Sequence, residues 1–324
     1  MLFKYFKLVI RLNLLVQKRR FLPRLPVLGR IYRSRHANND ALRSLLLKSR
    51  LQEQLMKDMY GKNTVGVVFK TYNGLLVNSL EDVAVNQHLG FNGAYDKKKV
   101  TFLLSLVEDD SCVYIIGAHI GTLAIPVAGK AKSVIAFEAN PATFEFLSWN
   151  AQLNLLHNTT VYNYAIFNEE KELSFYQNKA NTGGSKIKPS TDHFWYNYDQ
   201  PETITVCGKI LDNFVRDKGH DFPSLIIMDI EGAEYAALKG ASECLRHCRY
   251  LYIEFMPHHL SNVAGITIDK FVKAITDFFP NMIIVDEYVQ DSPEHYTGDE
   301  ILEKLTQYFN RNRGVDLLFS KERL

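Results

Sequence analysis

"VYIIGAHIG", residues 113–121, decides how the rest of the chain is interpreted. Its first four residues are strong β-formers, two glycines then bracket a short loop, and the sequence that follows predicts a helix. A strand, a glycine loop and a helix N-terminus form a common cradle for a nucleotide. Many such cradles carry an acid near the strand end, where this chain has Ile115 and Ile116. A nucleotide site that has lost a ligand and no site at all are both open at this point.

The chain beyond residue 112 alternates between predicted strands and helices. Near-continuous apolar strands separated by helices are typical of a parallel sheet covered on both faces, in which ligands bind beyond the carboxyl ends of the strands. The predicted strands are 112–116, 133–139, 159–166, 224–230, 250–256, 281–288 and 314–320, and the predicted helices are 121–130, 141–155, 233–241 and 268–279.

A carboxylate ends the second of these strands. Glu138 lies 21 residues after Gly117, a spacing that suits hydrogen bonds from ribose hydroxyls to the carboxylate. Asn140 follows it. The structural alternative is a solvated glutamate of no special role.

Further acids and histidines follow the next strands. Acids in the first turn of a helix are favoured by the helix dipole alone, and surface histidines are common, so each has a structural explanation. Their coincidence at one edge of the sheet favours a nucleotide-type ligand. These residues are Asp229, Glu231 and Glu234 after one strand, and Glu254, His258 and His259 after the next.

Several ligand classes are disfavoured by the motifs. The glycine loop lacks the third glycine of the dinucleotide fingerprint, and the chain has no P-loop sequence. The four cysteines form no CxxC pair, so buried free thiols in a reducing compartment are expected. The spacing of the acids gives no support for a metal site.

Five motifs in order along the chain carry a family resemblance. Together they resemble the FkbM family of methyltransferases, which use S-adenosylmethionine (SAM). The resemblance covers about residues 75–255, and FEANP taken with DIEGAE is its specific part. The motifs are IIGAHIG (115–121), AFEANPATFEFLSWNAQLN (136–154), NTGGSKI (181–187), IIMDIEGAEYAALKGA (226–241) and YIEF (252–255).

The resemblance implies a fold and an activity. The fold is α/β and Rossmann-like, with a mostly parallel seven-stranded sheet, helices on both faces and the last strand antiparallel. The activity is SAM-dependent methylation of a hydroxyl on a sugar, glycan or other metabolite. The residues with implied roles are Gly117, Ala118 and Gly121 in the cofactor loop, Glu138 at the ribose, and Asp229 and Glu231 at the reacting centre.

Two residues depart from the family pattern. Ile115 stands where the family usually has Asp, and His119 where it usually has Asn. The Asp helps to hold the cationic methionine end of SAM. Losing one charge-assisted hydrogen bond costs about 1.5–3 kcal/mol, or roughly ten- to a hundred-and-fifty-fold in affinity. The His119 ring nitrogen and the Asn140 side-chain oxygen are candidate replacements.

The implied reaction is an in-line displacement at the methyl group. Holding the reacting atoms in line supplies most of the rate, and a nearby carboxylate or histidine takes the proton of the hydroxyl. Asp229 and Glu231 are the first candidates for this base, and His258 is the second.

The first residues differ in charge from the remainder. Residues 1–39 hold ten of the 38 Lys and Arg and no Asp or Glu, so the body carries 28 basic and 36 acidic residues. Residues 1–20 predict a basic amphipathic helix that is too short to span a membrane and lacks a signal-peptide cleavage pattern. Such a helix can lie on an anionic membrane or pack on the body, and the sequence does not decide between them.

The predicted organisation has three parts. These are a basic helical extension over 1–60, a hairpin-and-helix module over 61–110 and the methyltransferase domain over 111–324. The expected partner is a small-molecule or glycan hydroxyl acceptor rather than nucleic acid, and the expected location is the cytoplasm or a membrane surface. A SAM-fold protein without turnover, serving as a binding or scaffolding subunit, is the alternative function.

Overall fold

The computed structural model describes residues 37–288 and 294–324 of the chain. The predicted basic helix over residues 1–20 lies outside the described residues. Among the helices that are described, none is long and apolar enough to cross a membrane. The described chain begins with helix α1, Ala37–Tyr60.

A hairpin and two helices precede the main sheet, as the sequence predicts. Strands β1, Gly66–Thr71, and β2, Gly74–Ser79, pair antiparallel around the turn at Tyr72 and Asn73. Helix α2 is Val83–Asn92 and helix α3 is Lys97–Leu106. An aspartate caps the N-terminus of each helix by accepting a backbone N–H, Asp82 from Val85 and Asp96 from Lys99. The predicted domain boundaries near 60 and 110 stay predictions.

The centre of the molecule is an eight-stranded sheet. From edge to edge its strands run β13-β12-β14-β11-β10-β3-β4-β5. The strands are β3 (Cys112–Ile116), β4 (Ser133–Phe137), β5 (Thr159–Tyr162), β10 (Leu225–Met228), β11 (Tyr250–Phe255), β12 (Asn281–Ile284), β13 (His295–Thr297) and β14 (Val315–Ser320).

The predicted parallel core is confirmed. Strands β5, β4, β3, β10 and β11 are mutually parallel, and β14 pairs antiparallel with β11, as the resemblance implies. Tyr114 and Ile116 face one apolar cluster and Val113 and Ile115 face another, so both faces of β3 are buried. The eighth strand, β13, was not predicted, because His295–Thr297 has no apolar run.

Helices cover the sheet and connect its strands. They are α4 (Ala124–Ala128), α5 (Pro141–Leu153), α6 (Phe194–Asn197), α7 (Leu211–Lys218), α8 (Glu234–Lys239), α9 (Ser242–His247), α10 (Pro257–His259), α11 (Ile268–Thr276), α12 (Val285–Tyr288) and α13 (Asp299–Asn310), with a π-helical turn at Leu260–Ala264 and a 3-10 turn at Thr182–Gly184.

A small second sheet forms largely from residues beyond 166, for which no strand was predicted. Its order is β6-β9-β7-β8, with β6 at Ala165–Ile166, β7 at Glu172–Gln177, β8 at Lys186–Ile187 and β9 at Glu202–Lys209. The single strand predicted over 159–166 is wrong, because it divides between the two sheets. The division falls at Asn163, whose side-chain amide donates to the carbonyls of Glu138 and Ala139 and so turns the chain away.

Two other predicted elements differ in extent. The strand predicted over 281–288 ends at Ile284 and continues as α12, which holds Asp286 and Glu287, residue types that are depleted in strands. The helix predicted over 121–130 is only Ala124–Ala128.

The hairpin is fixed to the main sheet by two asparagines of α5. Asn150 accepts from the Val77 N–H at 2.6 Å and donates to the Val77 carbonyl at 3.0 Å, as a neighbouring strand would. Asn154 makes the same pair of bonds with Leu75. Asn150 also donates to the carbonyl of Ile120, so one amide joins the hairpin to the glycine loop.

Candidate functional site

The glycine loop follows β3 at the carboxyl edge of the sheet. The N–H groups of Gly117 and Ala118 both donate to the Phe137 carbonyl at 2.9 Å, which holds the loop against the end of β4. Gly117 has φ +87°, and a Cβ atom there would lie 1.9 Å from the Asp229 carbonyl oxygen. Gly121 has φ +95° and donates to the Ala118 carbonyl. Two features therefore require glycine at 117, the left-handed backbone and the close approach of β10.

Glu138 points into this loop rather than into solvent. Its Oε2 accepts the N–H of His119 and its Oε1 accepts the N–H of Asn140, both at 2.8 Å. Burial raises the pKa of this carboxyl to about 7, against the opposing effect of the backbone donors. Each oxygen keeps a second lone pair, so the carboxylate can still accept from two hydroxyls.

Asn140 has a structural role in the helix that follows. Its Oδ1 accepts the N–H of Ala142 at 3.1 Å, which caps α5, and also accepts from the Gln177 amide at 2.7 Å. The side chain lies against β7, in a cavity apart from the glycine loop. The Asn140 side-chain oxygen was a candidate replacement for the missing Asp. In the structure it accepts from two other donors instead.

His119 joins the glycine loop to the N-terminal helices. Its φ of +52° lies in the left-handed region, and its ring Nε2 lies 2.6 Å from Thr182 Oγ1. The Thr182 hydroxyl donates to Asp82, so the histidine must donate through Nε2–H. Burial lowers the pKa of His119 to about 4 and keeps the ring neutral. His119 is therefore held by a relay that ends on the buried Asp82 carboxylate.

Two connected cavities open from the carboxyl edge of the sheet. The inner chamber lies against the second sheet and is lined by Glu138, Tyr164, Ile166, Phe175 and Ile187 among others. The outer chamber, of about 660 Å³, lies against α2 and α3. It is lined by Tyr95, Lys97, Lys99, Thr122 and Glu254 among others. Both chambers share Ile116, Gly117, His119, Gly183, Asp229 and Glu231, and we call this shared lining the seam.

Acidic groups crowd the seam and its outer side. Glu231 has φ +56°, which is unusual for a residue with a side chain, and its Oε2 accepts from Lys186 Nζ at 3.2 Å. Burial, together with the charge of Glu231, raises the pKa of Asp229 to about 6 against the lowering effect of Lys99. Burial and the neighbouring Asp229 hold the pKa of Glu254 well above its usual range.

Glu234 holds the loop that presents these acids. Its Oε1 accepts the N–H groups of Ile230 and Gly232 at 3.0 and 3.2 Å. Burial raises the pKa of Glu234 to about 7. These bonds fix the backbone on both sides of Glu231, which stabilises its left-handed conformation.

His258 and His259 face different surroundings. His258 lines a separate cavity of about 480 Å³ together with Trp195 and Tyr196, away from the seam. His259 is 4% exposed, and its Nδ1 lies 3.3 Å from Glu231 Oε2. The structure therefore brings Asp229 and Glu231 to the glycine loop, as expected, but it is His259 rather than His258 that joins them.

Ile115 belongs to the core. Its side chain is 1% exposed and packs in the apolar cluster that contains Val113, Ala136 and Ile227. In the described part of the chain it lies outside the lining of both chambers.

Two lysines at the site were not predicted. Lys99, on α3, lines the outer chamber and pairs with Asp316 of β14 at 2.8 Å. Lys186 comes from β8 of the second sheet. Lys99 has no local sequence signal, and Lys186 lies in the NTGGSKI motif without a role assigned to it. Each reaches the site only through contacts between segments distant in sequence. Glu254 and His259 did have a signal, the position just after a strand.

The expectation of buried free thiols is confirmed for three of the four cysteines and is wrong for Cys207, which is exposed. Within the described residues, Cys112, Cys244 and Cys248 are buried and free, and Cys207 is free and exposed.

The fold is α/β, with a cleft at the carboxyl edge of its sheet, and comparison with known proteins makes the class specific. The chain belongs to the Methyltransferase FkbM domain family, whose model matches residues 116–310, more than half of its length. Its central sheet of parallel strands, connected and covered by helices, is an α/β fold.

Two curated relatives share part of the sequence. The hexuronic acid methyltransferase AglP of Haloferax volcanii is 28% identical over 156 residues, which are 48% of this chain and 60% of that protein. The 2-O-methyltransferase NoeI of Sinorhizobium fredii is 28% identical over 112 residues, 35% of this chain and 42% of that protein. The matched segment thus spans only about half of either relative.

A solved structure with a related fold is the methyltransferase FkbM from Methylobacillus flagellatus. It is 18% identical, with a TM-score of 0.41 over 74% of this chain and 53% of that one. A likeness this distant carries no argument about activity.

Proposed function

We propose that this protein is a SAM-dependent O-methyltransferase that acts on a hydroxyl group of a sugar, glycan or related metabolite. The observation that carries the proposal is the seam, where the glycine loop and two acids lie between an apolar chamber and a polar one. A donor in one chamber and an acceptor in the other would meet at Asp229 and Glu231.

The residues of the inner chamber fit the adenosine part of SAM. Phe175, Ile187 and Ile166 offer apolar surface to a purine ring, and Glu138 can accept from both ribose hydroxyls. The inner chamber has only about 60 Å³ of free space, which is less than the volume of a nucleoside. We therefore expect binding to widen it.

The outer chamber offers charges for the methionine part of SAM. The acids that line this chamber offer a carboxylate for an ammonium group, and Lys99 offers a cation for a carboxylate. We propose that these acids replace the strand-end Asp of the family. In that case Ile115 is compatible with SAM binding, because the compensating charges come from neighbouring strands.

SAM supplies an electrophilic methyl group on a sulfonium centre. The residues of this chain hold the acceptor oxygen in line with that group, and buried walls exclude water from the seam. Asp229 is the proposed base, because a carboxyl with a pKa raised to about 6 is a stronger proton acceptor than an exposed one and is still largely ionised at pH 7. Glu231 is the second candidate for this proton transfer.

The relatives support a sugar acceptor. AglP is named for hexuronic acid and NoeI for 2-O-methylation. Polar and aromatic groups line the outer chamber, including Tyr95, Thr122 and Asn181, which suits a ligand with many hydroxyls.

The test has two parts. Calorimetry with SAM measures binding, and transfer of a labelled methyl group to hexuronic acid glycosides measures turnover. Binding with transfer supports the proposal. Binding without transfer to a wide panel of hydroxyl compounds favours the alternative, a scaffolding subunit that has lost turnover. No SAM binding by the folded protein contradicts both.

Membrane contact through residues 1–20 is a separate prediction from the sequence. Four basic residues on one helical face would contact anionic headgroups, so salt should weaken the binding. Deleting these residues should reduce binding to anionic vesicles. Equal binding of the full-length and shortened chains would reject the idea and favour a helix packed on the body.

A further inference from the structure

Three potential metal ligands lie close together beside the outer chamber, and two of them, Glu231 and Glu254, line it. Glu231, Glu254 and His259 each offer one ligand atom, and these three atoms lie within 4.8 Å of one another. They come from three places in the chain, the loop after β10, the end of β11 and the short helix α10. The tertiary structure therefore assembles a group that has no recognisable sequence spacing.

His259 is the independent sign that something is bound here. Its ring is buried, and Nδ1 has no hydrogen-bond partner among the described residues, although it lies 3.3 Å from Glu231 Oε2. The 3.3 Å contact with Glu231 therefore does not have the geometry of a hydrogen bond that would satisfy Nδ1. A buried polar atom without a partner is costly.

The distance between His259 Nδ1 and Glu231 Oε2 is normal for two atoms that bind one cation. Bonds of about 2.1 Å that meet at tetrahedral or octahedral angles place neighbouring ligand atoms roughly 3.0–3.4 Å apart. The 3.3 Å between His259 Nδ1 and Glu231 Oε2 lies in this range.

The local charges also leave room for a cation. Asp229, Glu231 and Glu254 all line the outer chamber. Lys186 contacts Glu231 but also donates to the Gly184 carbonyl, and Lys99 is paired with Asp316. Three carboxylates therefore lie around this chamber, while Lys186 and Lys99 are each also bound to another group.

We propose that Glu231, Glu254 and His259 bind one first-row divalent cation of the Mn²⁺ or Zn²⁺ type. Two carboxylates and one imidazole suit these ions better than Mg²⁺ or Ca²⁺, which prefer all-oxygen sites. The role of the ion rests on the proposed function. A cation held by these three residues would bind the acceptor oxygen and favour its deprotonated form.

The experiment measures metal binding without SAM. Chelator-treated protein is titrated with Mn²⁺ and followed by the loss of the free-ion signal in electron paramagnetic resonance, with Zn²⁺ calorimetry in parallel. We expect one ion per chain. Glu254→Gln and His259→Ala should each weaken binding more than about tenfold. Glu254→Gln keeps the size of the side chain, so it tests the site even where His259→Ala fails to fold.

His258→Ala is the matched control. It removes the adjacent imidazole, which faces another cavity, and it should leave metal affinity unchanged. Absence of Mn²⁺ and Zn²⁺ binding at millimolar concentration, or binding that Glu254→Gln leaves intact, overturns the inference. A protein that binds the ion but not SAM would support the metal site and contradict the methyltransferase proposal, so the two failures are distinguishable.

Discussion

The Cα of Gly117 and the carbonyl oxygen of Asp229 lie so close that no side chain fits between them. The Cβ of an alanine at 117 would be 1.9 Å from that oxygen, with a backbone φ of +87°. Because Gly117 belongs to the glycine loop and Asp229 to the acid cluster, this contact fixes the two parts of the site relative to each other.

The first prediction concerns this contact. Gly117→Ala should destabilise the protein by more than the roughly 1–2 kcal/mol that a left-handed alanine costs, because the strands must also separate. Gly219→Ala is the control, since Gly219 has φ +68° and open space around its Cβ position. Chemical denaturation measures both variants. Equal losses of stability would show that the close approach costs nothing.

The second prediction concerns Glu138. Glu138→Ala should weaken SAM binding by about 1.5–3 kcal/mol, because the ribose hydroxyls lose their acceptor. It should also lower stability, since the N–H groups of His119 and Asn140 lose theirs. Glu145→Ala, an exposed glutamate on α5, is the control. Calorimetry on the folded variant gives the answer, and an affinity like that of the unmodified protein would remove the proposed ribose contact.

The third prediction is a pH dependence. The pKa of Glu138 is raised from 4.5 to about 7, so the unfolded chain releases this proton first as pH rises. The stabilisation that the raised pKa of Glu138 gives to the folded protein is therefore fully present below pH 4.5. It is lost between about pH 4.5 and 7, and it amounts to about 3 kcal/mol of unfolding free energy.

Glu138→Gln cannot titrate and isolates this effect. The fall in unfolding free energy between pH 5 and pH 8 should be smaller in the variant than in the unmodified protein. Identical pH profiles would mean that Glu138 has an ordinary pKa. Glu234, with a pKa also near 7, titrates in both proteins and cancels in the comparison.

The fourth prediction concerns the relay from His119 to Asp82. Thr182→Val removes the hydroxyl that accepts from His119 and donates to the buried Asp82, so it should cost about 1–3 kcal/mol of stability. Thr191→Val, at an exposed position, should change stability by less than about 0.5 kcal/mol. Thermal and chemical unfolding report the difference, and two equally stable variants would argue against the relay.

The fifth prediction concerns Ile115. Ile115→Asp would restore the residue usual in the family, but it would place a carboxylate among Val113, Ala136 and Ile227. We expect a loss of about 3–5 kcal/mol in stability and no gain in SAM affinity. Ile115→Val, which keeps the site apolar, should cost only about 0.5–1.5 kcal/mol. Tighter SAM binding with unchanged stability would show that this position does reach the cofactor.

The elements that could be predicted are those with strong local patterns. The buried strand β3, the hairpin turn at Tyr72 and Asn73, and the helix that begins at Pro141 each combine a propensity with a turn or cap signal. The small second sheet escaped prediction because β6 and β8 are two residues long and depend on partners far along the chain.

The site residues likewise divide into those that the sequence could predict and those that it could not. Glu138, Asp229 and Glu231 follow strands, so the rule for parallel sheets places them at one edge. Which of the two histidines turns toward the acids depends on the direction of α10, which the sequence does not encode locally. Lys186 could not be found for a similar reason, because its strand reaches the cleft only after the second sheet has formed.

The second sheet has an apolar core of its own, made by Ala165, Leu173, Phe175 and Val206, separate from the two clusters of the main sheet. Phe175 belongs to this core and also lines the inner chamber. Exchanging it for a smaller or larger apolar residue would thus change ligand fit while the strain stays in a four-stranded unit. Both sheets line the inner chamber, so its width can be changed at Phe175 while the strands of the main sheet that lead to Glu138 and Asp229 stay as they are.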